Sequence, residues 1–249
     1  MTKTYFRTEP ELHNTQFIEA MAPYHFAGRL VGGKRVLDAG CSFGYGSDYL
    51  SKRADEVVGL DNDRKTIIRA TNTYRQKNVR FVLSNATGID FPDSYFDVAC
   101  LFELIHQVAE YQKLLEEIHR VLKNGGILLV STRRKDKEEP KGDPSHIKVF
   151  TAEELKALLG KTGFSGVETY GITRPEGVYE LERELAAVRK SGLAGIKKLI
   201  PRRAVPGLVY LFSRIRGIKP PQELKCEDFK ISADAAGTAP GILAVCKKI

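Results

Sequence analysis

At 249 residues, with 42% apolar and 28% charged residues and a formal net charge of +8, the chain reads as one large globular domain with a small appendage. It contains no run of about 18 consecutive apolar residues, which excludes a transmembrane helix readable from hydropathy, and the opening MTKTYFRTEPELHN has no apolar stretch of the secretory type. Cys41, Cys100, Cys226 and Cys246 form no C-x-x-C pair, which argues against a structural zinc site and for free thiols in a reducing, cytoplasmic setting.

In chain order, residues 11–31 predict a helix with Phe17, Ile18, Met21, Phe26 and Leu30 as its apolar residues, interrupted by Pro23 and stopped by Gly32-Gly33. "KRVLDAG" is a short buried strand ending at Asp38, "YGSDYLSKRA" a helix, and "EVVGLD" a second strand ending at Asp61. "DRKTIIRATNTYRQK" is helical, "VRFVLSN" a third strand and "YFDVACLFEL" a fourth. "YQKLLEEIHRVLKNGG" is an amphipathic helix with Leu114, Leu115, Ile118, Val121 and Leu122 on one face, and Gly125-Gly126 predicts its C-cap. "ILLVST" is a fifth strand, "TAEELKALLGKTGF" a helix capped by Thr151, and "GVETYGI" a sixth strand. A detour over roughly 175–238, with five prolines, precedes a final strand "GILAVCKK". Strands alternating with helices predict an α/β, Rossmann-like, doubly wound and mostly parallel sheet. It would have seven strands, helices on both faces and a helical insertion before the last strand. The divisions expected are a core at 1–174 with an N-terminal lid helix, an insertion at 175–238 and the last core strand at 239–249.

"GCSFG", residues 40–44, fits two chemistries. As G-x-S-x-G it is the elbow that presents a serine nucleophile in hydrolases, and Asp97 and His146 could complete a Ser…Asp…His order. As a glycine-rich turn after a first strand it would receive a nucleoside cofactor on its backbone, with Gly40, Gly44 and Gly46 permitting close approach. Asp38 would accept hydrogen bonds from a ligand or orient the turn. Asp61, about 20 residues on at the end of the second strand, would grip ribose hydroxyls. The dinucleotide fingerprint G-x-G-x-x-G is absent, because Ser42 and Tyr45 stand where glycines are required. The turn follows only one strand, which suits the cofactor reading better than the hydrolase one.

"GKRVLDAGCSFGYGSDYL…VVGLD…VRFVLSNATGIDFPDSYFDV…IHRVLKNGGILLVST…HIKVFTAEELKALLGKTGF" resembles the class I S-adenosylmethionine-dependent methyltransferases, in particular the small-molecule, type 11-like branch with sugar-, polysaccharide- and quinone-modifying members. The resemblance runs over about residues 13–172 and implies S-adenosyl-L-methionine as cofactor. It implies that Asp38, Gly40, Cys41, Ser42 and Gly44 surround the methionine and ribose parts, that Asp61 binds the ribose hydroxyls, and that Asn62 lies beside the adenine. Asn85-Ala86 stands where the family has Asp-Ala, so the Asn85 carbonyl would accept from the adenine amino group without a charge. Leu101 and Phe102 would border the methyl donor, and Ser42 would line the site where relatives have glycine.

Methyl transfer from a sulfonium needs alignment of donor and acceptor, and a hydroxyl acceptor gains from a base near neutrality. The resemblance implies His106 and His146 as candidates. His106-Gln107 replaces the family's Glu-His, which leaves a non-catalytic cofactor-binding protein as an alternative beside the hydrolase. His25, with Tyr5, Phe6 and Tyr24, is expected in the lid.

Between Arg183 and Lys219 ten Lys/Arg face one acid, Glu184, so this segment carries +9 and the rest of the chain −1. The same segment is as apolar as it is basic. It predicts a cap over the site and peripheral contact with anionic lipid rather than a nucleic-acid surface. The expected activity is transfer of a methyl group to a small-molecule or lipid-linked acceptor, with a sugar oxygen as the leading acceptor.

Overall fold

The computed structural model describes residues 15–134, 147–175, 213–215, 217 and 223–249. Described residues fall into two compact units, one formed by Ala20–Thr173 with Ile231–Ile249, the other including Thr15–Glu19 and the described residues of Arg174–Lys230. No helix among the described residues is long and apolar enough to cross a membrane. Most of the basic segment, with His146, Tyr5 and Phe6, lies outside the described residues.

Helices α1 (Thr15–Ala27), α2 (Tyr45–Ser51), α3 (Arg64–Thr73), α4 (Tyr111–Val121) and α5 (Ala152–Lys161) alternate with strands β1 (Arg35–Ala39), β2 (Glu56–Asp61), β3 (Val79–Leu83), β4 (Phe96–Phe102), β5 (Leu122–Arg133) and β6 (Phe164–Thr173), followed by β7 (Lys230–Ser232) and β8 (Gly241–Lys248). The sheet order is β3-β2-β1-β4-β5-β8-β6-β7. β1 to β5 pair in parallel, while β8 runs antiparallel between β5 and β6. The sheet is thus α/β and doubly wound as expected, with one strand more than the seven read from sequence. The eighth, β7, is three residues long at the sheet edge, too short to leave a periodicity.

Side-chain alternation along β1 sets the two faces. Leu37 and Ala39 join a core with Leu114, Leu115 and Ile118 of α4 and Leu155 and Leu159 of α5. Val36 points the other way, into a second core with Tyr24 and Ala27 of α1 and Leu50 of α2. Asp38 shares the parity of Val36 and is therefore delivered, as a carboxylate, beneath α1 and α2. α5 begins as predicted: Thr151 Oγ1 accepts from Glu154 N–H at 3.1 Å and Glu154 Oε2 accepts from Thr151 N–H at 3.0 Å, a reciprocal capping box.

The expected C-cap at Gly125-Gly126 is corrected. α4 stops at Val121 because Leu122 already pairs with Phe96 in the sheet, and the glycines sit where the β4–β5 register shifts between Phe96 and Val98. A Cβ at Gly126 would approach the Lys123 carbonyl oxygen to 2.7 Å, so the glycine serves this irregularity in the strand.

Candidate functional site

The C-terminal ends of β1 to β4 open onto one cavity of about 450 Å³, at the point where the strand order reverses between β1 and β4. That is where open α/β sheets bind ligands, and the volume suits a small molecule. β1 contributes Gly40 and Ser42, β2 Leu60 to Asp63, β3 Ser84 to Ala86, and β4 Phe102 to Leu104.

Asp61 ties these ends together. Its Oδ2 accepts from Ser42 N–H and its Oδ1 from Asp63 N–H, both at 2.9 Å, and its backbone oxygen accepts from Ser84 N–H at 3.0 Å. Burial pushes its carboxyl above the ordinary aspartate range, and the Asp63 and Ser42 amides pull the other way. The turn itself folds over β2, because Gly40 N–H and Cys41 N–H both donate to the Leu60 carbonyl, at 2.8 and 3.0 Å.

Gly44 has φ +83 at the start of α2, and a Cβ there would meet the Phe81 ring at 2.6 Å, so only glycine fits. Ser42 also occupies the left-handed region, at φ +50, which is uncommon for a residue with a Cβ. Its Oγ is buried and has no hydrogen-bond partner among the described residues.

Asp38 lies just beneath the cavity and is fully buried. Tyr24 Oη donates to its Oδ1 at 3.0 Å and Ser47 Oγ to its Oδ2 at 2.6 Å. Burial raises its carboxyl to about 6, against the two hydroxyls, which lower it, and with a smaller raising contribution from Asp61. The Tyr24 ring occupies the space that a Cβ at Gly46 would need, and meets Phe102 edge-on with centroids 4.7 Å apart.

Of the residues expected around a cofactor, Gly40, Ser42, Asp61, Asn62, Asn85, Ala86 and Phe102 line the cavity. Asp38, Cys41, Gly44 and Leu101 do not; Asp38, Cys41 and Leu101 are buried behind it. Asn85 Oδ1 accepts from Thr87 N–H at 3.1 Å, and a carbonyl oxygen has a second lone pair for a ligand. His106 is 1% exposed with Nδ1 3.0 Å from Thr132 Oγ1, on the short helical turn Ile105–Gln107. It is Gln107, not His106, that lines the cavity. One residue along a 3-10 turn rotates the side chain by about a third of the circle, and here that rotation directs the imidazole to β5.

Sequence reading missed Tyr45, Arg64, Ser84 and Glu103 in the wall and Ser47 beneath it. Glu103 had a legible signal, a carboxylate immediately after the apolar run of β4. It sits at φ +53, its N–H donates to Ser131 O, its Oε1 accepts from Ser131 Oγ at 2.8 Å, and its carbonyl accepts from Gln107 Nε2 at 2.7 Å.

The hydrolase alternative fails on position. Asp97 begins β4 at the opposite end of the sheet, where it accepts from Arg35 N–H at 2.9 Å and Lys123 Nζ at 2.7 Å. It borders a separate polar depression with Gly33, Lys34 and Glu56, so it cannot serve Ser42.

Comparison with known proteins agrees with this geometry. A family described as "Methyltransferase domain" matches residues 37–130. A probable S-adenosylmethionine-dependent methyltransferase of Mycolicibacterium smegmatis is 32% identical over 182 residues, covering 71% of this chain and 70% of that protein. A fatty-acid O-methyltransferase of the same organism is 34% identical over 106 residues, covering 42% of this chain and 39% of that protein. Among solved structures, a SAM-dependent methyltransferase of Thermotoga maritima superposes with a TM-score of 0.63 at 16% identity, over 94% of this chain and 92% of that one, which speaks for the fold. The chain belongs to the S-adenosylmethionine-dependent methyltransferases.

Proposed function

We propose that this methyltransferase carries the methyl group to an oxygen of a small-molecule or lipid-linked acceptor, with a sugar hydroxyl as the leading acceptor. The observation that carries the oxygen reading is Glu103, a carboxylate in the cavity wall directly after β4, braced by Ser131 and by Arg133, whose Nε lies 3.7 Å from Oε2. A carboxylate there can accept the proton of a hydroxyl and orient its oxygen. A related protein bearing the name fatty-acid O-methyltransferase supports an oxygen acceptor and brings a lipid acceptor into the comparison.

The residues fit the cofactor. Bound S-adenosylmethionine supplies an activated methyl group, so the chain's task is alignment and exclusion of water. Asp61 would bind the ribose hydroxyls, Asn62 and the Asn85 carbonyl would meet the adenine, and Phe102 would wall the donor side. The buried, unpartnered Ser42 Oγ is a polar atom awaiting a ligand in this cavity. Asp38 would act from beneath, holding α1 and α2 through Tyr24 and Ser47. Within this reading, 175–238 caps the acceptor and brings a basic, apolar surface to anionic lipid.

The test is transfer of label from methyl-labelled S-adenosylmethionine to a panel holding free sugars, a glycolipid, a fatty acid and a quinol. Label on a sugar hydroxyl that falls about a hundredfold in Glu103→Gln, the usual scale of a lost general base, is the expected result. Label on nitrogen or carbon overturns the oxygen reading, and label on an oxygen of the fatty acid or the quinol alone overturns the sugar acceptor.

A further inference from the structure

We infer that the acceptor is a vicinal diol, a ring bearing two neighbouring free hydroxyls, and that Gln107 is the residue that selects for the second hydroxyl. The inference rests on the sugar-oxygen reading above and narrows it to one arrangement of groups. Between β4 and α4, Glu103, Leu104, Gln107 and Val108 line the cavity. One stretch of wall thus pairs a carboxylate and an amide with two apolar side chains. A ring polyol has the same division, with hydroxyls around its edge and C–H groups on its faces. A plain acyl chain would satisfy the apolar pair and leave the polar pair without partners.

The polar pair is built as a unit. Glu103 holds the costly backbone conformation φ +53, and both of its backbone groups are tied. Its N–H donates to Ser131 O at 3.1 Å and to Ser131 Oγ at 3.2 Å, and its carbonyl accepts from Gln107 Nε2 at 2.7 Å. A carbonyl only accepts, so this bond also fixes which end of the Gln107 amide is nitrogen. The amide keeps one N–H and Oε1, which make no hydrogen bond among the described residues. Gln107 is half-buried in the cavity wall, and a hydroxyl, which both donates and accepts, complements what its amide has left. Amide and carboxylate flank a single residue of chain, a span that adjacent hydroxyls of one ring can bridge. Glu103 takes the proton of the first hydroxyl as that oxygen gains the methyl group, and the displaced electron pair stays on the cofactor's sulfur. Gln107 holds the second hydroxyl and so sets which oxygen is presented.

The experiment is transfer of label from methyl-labelled S-adenosylmethionine to octyl glucoside, octyl galactoside and octyl mannoside, and to the monodeoxy analogues of each one labelled. Wild type, Gln107→Leu and the closer-shaped Gln107→Met are compared, and the methylated oxygen is located by NMR. Expected is a fall of at least about tenfold in wild-type kcat/KM when the oxygen next to the methylated one is removed, because a site built to hydrogen-bond a hydroxyl rejects the analogue lacking it. Both variants should lose about as much on the parent glycoside and nothing further on that analogue. Wild type that methylates the analogue as fast as the parent overturns the diol. Variants that slow parent and analogue by one common factor overturn the role of Gln107, since a residue that only braced Glu103 would act that way. The wild-type comparison decides the diol even where a substitution disturbs the fold. No label on any of the octyl glycosides overturns the sugar acceptor of the proposed function, a separate result.

Discussion

Tyr24 Oη donates to Asp38 Oδ1 across 3.0 Å, so the helix that precedes the sheet is bonded to the carboxylate that closes its first strand. A hydrogen bond to a charged group contributes about 1.5–3 kcal/mol. Tyr24→Phe keeps the ring against Phe102 and removes only the donor. Its urea midpoint should fall by an amount in that range, with faster amide exchange over Ala20–Ala27; an unchanged midpoint would mean that the bond contributes nothing net.

The fully buried Asp38, raised from the ordinary 3.8 to about 6, gives stability a pH signature. The folded state holds the proton more tightly than the unfolded chain, so the favourable contribution is present below about pH 4 and lost as pH rises through 6. At about 1.4 kcal/mol per pKa unit, the carboxylate costs about 3 kcal/mol at neutral pH. Asp38→Asn should therefore be more stable than wild type at pH 7.5, and the difference should shrink toward pH 4. Chemical denaturation at the two pH values checks this, and a gap that widens on acidification would reverse the sign of the argument.

Asp61 accepts two backbone amides from separate loops and lines the cavity. Asp61→Ala should weaken S-adenosylhomocysteine binding at least tenfold, about 1.4 kcal/mol. Asp61→Asn keeps an acceptor for one amide and should lose less. Calorimetry on both variants, with circular dichroism to verify the fold, reads the order; equal affinity of wild type and Asp61→Ala would remove the carboxylate from the site.

Gly46 tests packing against propensity. Alanine in a helix interior is favoured over glycine by about 1 kcal/mol. A Cβ at Gly46, however, would lie 2.1 Å from Tyr24 Cζ, and that ring is held by Asp38 and Phe102. Overpacking costs about 1–3 kcal/mol, so Gly46→Ala should lower the melting temperature; a rise would show that α1 yields freely.

Local physics made much of this protein legible in its letters. Apolar runs bounded by glycine and acid marked the strands, the face of Leu114, Leu115 and Ile118 marked α4, Thr151 marked the start of α5, and the GCSFG turn with Asp61 marked the cavity. Each of those signals sits within a few residues of its effect. What tertiary structure alone decided involves residues far apart in the chain or a rotation that periodicity does not record. β8 slots antiparallel between β5 and β6, and the pairing of Leu122 with Phe96 of β4 carries it out of the expected helix and into the sheet. Asp97 lies near the start of β4 and Ser42 just past the end of the neighbouring β1, at opposite edges of the sheet because the two strands run parallel. Gln107 turns to the cavity and His106 to Thr132, since a single helical step changes the direction of a side chain. Asp38 acquires its partners from Tyr24 and Ser47, and only the packing of α1 and α2 on that face of β1 brings the three together.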